Sequence, residues 1–292
     1  MTSAKPNLKE ILSQALAGRW AVPHFNISDM AMLKGLIEAA AETRAPIMIG
    51  TSEGESDFLG RRAAMALVKA IRKELGLSIF INADHCHSMA TAKAAIDAGY
   101  DSVHIDLSKL PLEENIAATK EVVGYALAKS PMISVEGEVG YLVTDSSQVY
   151  KQAITVPKES LAKVEEAVRF VEETAVDRLA PAVGTLHGIA ANVPNIDIER
   201  VHAISKALRK TILVLHGGSG ALDEQIKKAI AAGIANVHFS TDIRLAYTAA
   251  LRQSLAEHPD ETTPYKLLAP VVLAVKTKAM EKIKLLGAAG RV

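Results

Sequence analysis

The sequence predicts an α/β fold, a (β/α)8 TIM barrel, and three observations carry the prediction. Eight short, nearly continuous apolar runs recur along an undivided chain of 292 residues. A helix-like amphipathic stretch follows each run. Polar residues able to do chemistry gather where the runs end. Strands so uniformly apolar are covered on both faces, as in a parallel sheet. Eight strand and helix alternations in one chain favour a barrel over a doubly wound sheet, the competing architecture.

In order, the runs are WAVPHFN, PIMIGTS, SIFINAD, SVHIDLS, MISVEGEVG, RLAPAVGTLHG, ILVLHGGSG and NVHFSTD. The helical patterns that follow cover 29–42, 58–75, 88–98, 111–128, 158–173, 198–208, 222–232 and 243–257. An extra N-terminal helix precedes the first strand, and a C-terminal helical extension covers about 266–286. No low-complexity or Pro/Gly/Ser-rich linker interrupts the pattern, so residues 1–292 are expected to form one barrel domain. Asn26, Ser52, Asp84, His85, Asp106, Glu136, Glu138, His187, His216, Ser219 and Thr241 all fall at or just beyond the C-terminal ends of the runs. In a barrel those ends converge on one mouth, where such folds place their chemistry. In an open sheet they would spread along an edge.

Composition bounds the function classes. Lys+Arg and Asp+Glu are both 33, so no global field attracts nucleic acid or an anionic membrane. The single cysteine, Cys86, excludes an intrachain disulfide and fits a reducing compartment. The N-terminus lacks the continuous apolar core of a signal peptide, and no stretch reaches membrane-spanning length without charges. A cytoplasmic protein that binds neither membrane nor nucleic acid is the expectation.

Three histidines each close a run: His85 in NADH, His187 in GTLHG and His216 in VLHGG. For any one alone, a hydrogen-bonded rim histidine is the plainer reading. Three imidazoles brought to one rim form the ligand set of a catalytic zinc ion with a position left open. His202 and His258 fall on helix-like surface, and His104 lies inside strand four, where a core histidine is expected. His187 and His216 precede Gly188 and Gly217, and GGSG leads into a helix, a layout suited to phosphate. Ser219 and Thr241 add hydroxyls. Asp84 precedes a candidate ligand, so strand alternation directs the two side chains differently. It is either a proton carrier beside bound substrate or an N-cap for the helix beginning near Ser88. Lys109 is the one lysine near a strand end that could support Schiff-base chemistry instead.

These residues resemble the class II, metal-dependent ketose-bisphosphate aldolases, the fructose- and tagatose-bisphosphate family. The resemblance runs from AVPHFNISDM through IGTSEGE, DHCHSMATAKAAIDAGYDSVHIDLSKLPLEENIAATKEVV, VEGEVG, GTLHG, LVLHGGSG and STDIRLAYTAAL to PYKLLAPVVLAVKTKAMEKIKLLGAAGR. It implies a metal-dependent lyase that reversibly cleaves a ketose phosphate to dihydroxyacetone phosphate and an aldehyde. It implies one zinc ion per subunit on His85, His187 and His216, with Glu138 serving the metal site, and room for a second divalent or monovalent cation. Proton transfer falls on Asp84. The phosphate falls on Gly188, Gly217, Ser219, Ser240 and Thr241, and Asn26 and Ser52 meet the rest of the substrate. Homodimers or homotetramers are implied as well. Lys109 matches a position that is not a nucleophile.

The chain departs from the family pattern at four places. His238 stands where an Asn that contacts the enediolate is expected, and is carried over as a catalytic position. The loop YLVTDSSQVYKQ lacks the usual glycine pair and acids, leaving Asp145 as the one nearby carboxylate. Ala191 replaces a phosphate-holding lysine, and Val272 replaces an arginine that reaches a distal phosphate. Loss of two cations weakens the case for a bisphosphate, because phosphate recognition leans on cationic donors. An altered substrate, monophosphorylated or unusual, and a sugar-phosphate-binding protein without turnover are the alternatives. His24 and His87 are further rim imidazoles without an assigned duty.

Overall fold

A computed structural model describes residues 6–144, 148–193 and 195–292. Eight parallel strands close into a barrel in sequence order, β8 pairing back onto β1. They are β1 (Val22–Asn26), β2 (Ile47–Thr51), β3 (Ile79–Cys86), β4 (Ser102–Ile105), β5 (Ser134–Val139), β6 (Arg178–Pro181), β7 (Ile212–Leu215) and β8 (Ile234–Phe239). Nearly every strand residue is buried, as the unbroken apolar runs require.

The helices alternate with the strands as expected. Helix α1 (Leu8–Gly18) starts at a reciprocal cap between Asn7 and Glu10 and buries Leu8, Ile11, Leu12 and Ala15. It packs against β1, β7 and β8, closing the end of the barrel away from the mouth. The C-terminal extension is α11 (Pro264–Leu285), which packs on α2 (Met30–Thr43) and α10 (Thr241–Glu257). Gly35 permits that crossing, since a Cβ there would stand 2.8 Å from both the Val272 carbonyl and the Val275 side chain.

Three boundaries differ from the sequence reading. The helix expected over 58–75 is two, α3 (Glu53–Leu59) and α4 (Arg61–Leu75), broken at Gly60, whose φ of 79° is left-handed. The helix expected over 158–173 is α7 (Val164–Thr174), preceded by a short 3-10 turn at Lys158–Ser160. The apolar run 178–188 is strand only to Pro181. Gly184 and Gly188, both at positive φ, turn the remainder into a loop, so His187 sits six residues past the end of β6 rather than closing it.

The barrel interior is polar where such barrels are usually filled with branched aliphatics. Arg178, on β6, is wholly buried and reaches across the barrel axis. Its guanidinium donates to Ser134 Oγ, Asn236 Oδ1 and Asn82 Oδ1, each at 3.1 Å, and to Ser102 Oγ. It also forms a 2.6 Å ion pair with Glu136 of β5. This network is the floor of the mouth.

Candidate active site

Above that floor, the loops following the strands enclose a cavity of about 470 Å³, a size suited to a small phosphorylated ligand. Asp84 and His85 both line it, although neighbouring strand residues ordinarily face opposite ways. The cause is local. The β3–β4 register shifts between Ala83 and Cys86, and His85 adopts a left-handed φ of 51°. The bulge turns both side chains to the mouth, at a backbone cost of about 1–3 kcal/mol. It corrects the expectation that the two would diverge. Asp84 is also not the cap of α5 (Met89–Ala98); Ser88 fills that place, accepting from the Thr91 amide at 3.1 Å.

The rings of His85, His187 and His216 converge. Their centroids lie 4.7 Å (85–216), 4.8 Å (85–187) and 5.8 Å (187–216) apart. A tetrahedral ion bound by three imidazoles at about 2.1 Å sets ring centres roughly 5 Å apart, which is the spacing found. Asp84, His85, His104 and His216 offer donor atoms mutually within 4.8 Å; His187 stands outside that group. Its Nε2 is nonetheless buried with no hydrogen-bond partner, a donor with nothing to bind among the described residues.

Carboxylates orient the other two rings. Asp106 Oδ2 accepts from His85 Nδ1 at 2.7 Å, leaving Nε2 for a ligand, and Glu136 Oε1 accepts from His216 Nε2 at 2.8 Å, leaving Nδ1. Such carboxylate–histidine pairs are how proteins aim metal-binding imidazoles. Burial and the neighbouring His85 hold His187 down to about 3. Burial and His238 likewise hold His216 well below the usual imidazole range. Both rings are therefore neutral at pH 7, the form that binds metal.

His104 was expected to be an ordinary core histidine. It is buried, yet it stands inside the site, 4.5 Å from the His85 ring and 4.8 Å from that of His216. Burial opposes its charge, but Glu136, Asp84 and Glu138 outweigh that and raise it well above the imidazole range. Glu138 turns towards it, Oε2 lying 3.4 Å from His104 Nε2, and burial together with Asp106 raises this carboxyl. Alternation along SVHI put His104 on the same face as the Ser102 side chain that meets Arg178, so the signal was present in the strand itself.

Asp84 is fixed from several sides. Asn26 Nδ2 donates to it at 3.0 Å and to Glu55 at 3.0 Å; Arg244 in turn holds Glu55. His238 Nδ1 lies 3.3 Å from Asp84 Oδ1. Burial would raise the Asp84 carboxyl, but the surrounding imidazoles, His85 and His24 foremost, keep it well below the carboxylate range. His24 stacks on His238 at 3.6 Å and 8° and meets Asn82 at 3.1 Å. It rests on the bare Gly50 backbone, where any Cβ would strike the imidazole. Ser52 lines the cavity and caps α3, accepting from the Glu55 amide. His87 pairs with Glu53 at the outer rim.

Gly188, Gly217, Ser219, Ser240 and Thr241 come together at the loops after β6, β7 and β8. Gly188 and Gly217 have φ of 78° and 72°, and a Cβ on either would run into a carbonyl oxygen of the neighbouring loop. Ser240 Oγ is buried without a hydrogen-bond partner at the start of the 17-residue α10, where the helix dipole favours an anion. Neither Ala191 nor Val272 lines the cavity, and Asp145 lies outside the described residues.

Comparison with known proteins agrees with this arrangement. Residues 6–291 match the family described as fructose-bisphosphate aldolase class-II. The chain belongs to that family. It is a class II aldolase, a carbon–carbon lyase of (β/α)8 fold. A fructose-bisphosphate aldolase of Geobacillus stearothermophilus is 34% identical over 288 residues, 98% of each chain. A 6-phospho-5-dehydro-2-deoxy-D-gluconate aldolase of Bacillus licheniformis is also 34% identical, over 98% of this chain and 96% of that one. Among solved structures, the YdjI aldolase from Escherichia coli superposes with a TM-score of 0.82 at 30% identity, covering 98% of both chains. No described helix is long and apolar enough to cross a membrane.

Proposed function

We propose that this aldolase uses zinc to cleave a ketose (bis)phosphate, such as fructose or tagatose 1,6-bisphosphate, reversibly to dihydroxyacetone phosphate and an aldehyde. The observation that carries the reading is one arrangement. An ionised, immobilised Asp84 stands beside three converging imidazoles, across the mouth from a cradle of two left-handed glycines and an unpartnered hydroxyl. His85, His187 and His216 would hold the ion, Glu138 would serve it, and a second cation is part of the proposal. When bound, zinc supplies a Lewis acid for the enediolate charge.

The chain's own groups do the rest. The phosphate sits on Gly188, Gly217, Ser219, Ser240 and Thr241. Asp84, held open by Asn26, takes the proton of the C4 hydroxyl. That O–H pair becomes the aldehyde carbonyl as the C3–C4 bond breaks, the bonding pair stays on C3 of the other fragment, and the proton Asp84 took is returned to C3 to give dihydroxyacetone phosphate. His238 donates a hydrogen bond to that fragment. Ser52 meets the remainder of the sugar. A homodimer or homotetramer in the cytoplasm completes the proposal.

A second reading keeps the chemistry and changes the sugar. Ala191 and Val272 remove two cations, and one relative is named for a monophosphorylated deoxy-gluconate. One experiment addresses both. Chelation abolishes cleavage and zinc restores it, while borohydride with substrate leaves no adduct; a panel of bis- and monophosphates then assigns the sugar. Cleavage that survives chelation refutes both readings.

A further inference from the structure

We propose that Lys109 binds the anionic terminus of the aldehyde half of the substrate and thereby selects which aldehyde the enzyme takes. The inference rests on the aldolase reading above. Of the residues lining the cavity, Lys109 is the one lysine or arginine, and its ammonium group makes no ion pair or hydrogen bond among the described residues. The carboxylates around it are already engaged: Glu53 by the amide and ring of His87, and Asp106 by His85 and Ser108. A cation at the rim of a ligand cavity with no partner among the described residues is placed to meet an anion.

Its position fits the far end of the substrate. The strands close in sequence order, so the loop after β4 stands diametrically opposite the loop after β8, which forms part of the phosphate cradle. A ketose phosphate anchored there by one end, with its breaking bond over Asp84, extends its aldehyde half towards the β4 side. Lys109 is exposed, and the turn that carries it is held in a set place. The Leu110 amide donates to the Leu107 carbonyl at 2.9 Å, and Asp106 accepts from the Ser108 hydroxyl at 2.7 Å and amide at 3.2 Å. Asp106 is the carboxylate that aims His85, so the turn presenting the cation and the reacting centre share one anchor. Ala191 and Val272 leave no cation elsewhere on the lining to take this duty.

The test is aldol addition by the zinc-loaded enzyme, with dihydroxyacetone phosphate as donor and three acceptors: glyceraldehyde 3-phosphate, malonate semialdehyde and uncharged glyceraldehyde. Lys109→Met is expected to lower kcat/KM for a charged acceptor by roughly 10- to 100-fold, as loss of one charge-assisted hydrogen bond predicts. The loss falls mainly on KM. Uncharged glyceraldehyde changes less than about twofold, and Lys109→Arg recovers most of the loss. The acceptor that suffers most identifies the terminus as phosphate or carboxylate. An equal loss on all three acceptors, or none on any, overturns the role of Lys109 while leaving the aldolase reading intact. A wild-type enzyme that joins no acceptor overturns both.

Discussion

Replacing Arg178 with methionine tests whether the polar floor acts as a unit. The guanidinium is fully buried, pairs with Glu136 at 2.6 Å and bridges Ser134, Asn236 and Asn82. Its removal strands a buried carboxylate and several polar side chains. Breaking one side of such a pair costs about 3–5 kcal/mol, a large part of the ~5–15 kcal/mol that typically holds a domain together. At roughly 2–4 °C per kcal/mol, the melting temperature drops by about 6–20 °C. The pH dependence carries a sign. Burial would raise Glu136, but Arg178 and the nearby imidazoles hold it well below the usual carboxylate range. Its contribution is therefore present above the unfolded pKa and lost as pH falls towards the folded one. Without Arg178 the folded pKa rises, so the deficit of the variant is greatest above that raised pKa and shrinks as pH falls through it. Thermal and denaturant unfolding by circular dichroism from pH 4 to 8 reads both effects. Arg178→Met with Glu136→Gln should recover at least ~1 kcal/mol at pH 7, since the orphaned charge is gone. A single variant that loses under about 1 kcal/mol, or a double variant no more stable than the single, would refute the reasoning.

Two further outcomes are expected. Zinc at about a thousand times its dissociation constant stabilises the protein by ~4 kcal/mol relative to the chelated form; His187→Ala abolishes most of that shift and lowers bound zinc, read by melting curves and metal analysis. The Cys86 thiol, pushed up to about 12 by burial and by Glu53 and Asp84, stays unreactive to disulfide reagents at pH 8 until the chain is denatured. Because its folded pKa is raised, its contribution holds below the unfolded value near 9 and is lost as pH rises beyond it; rapid labelling of the native protein at pH 8 would contradict the burial.

The fold was legible because every strand is covered on both faces, which leaves an apolar run no shorter-range pattern can mimic. The site was legible where residues end strands: Asp84, His85 and His216 need only the barrel to meet. His187 was misplaced by its own surroundings, since PAVGTL continues the apolar run although Gly184 bends it out of the sheet. Arg178 was hidden for the opposite reason. A lone charge at the head of RLAP reads as a strand start at the surface, and only closure of the barrel turns it onto the axis. His104 shows the limit of judging residues singly: inside a strand it reads as core, and it is core, but the core here is the underside of the site.

That last point bears on moving the chemistry elsewhere. Transplanting the rim loops onto another eight-stranded scaffold would carry the visible lining and leave behind what aims it. His216 would arrive without Glu136, and Glu136 without the guanidinium that keeps it charged. A working graft has to include the inward positions of β3 to β8, by which stage most of the donor's interior has been copied.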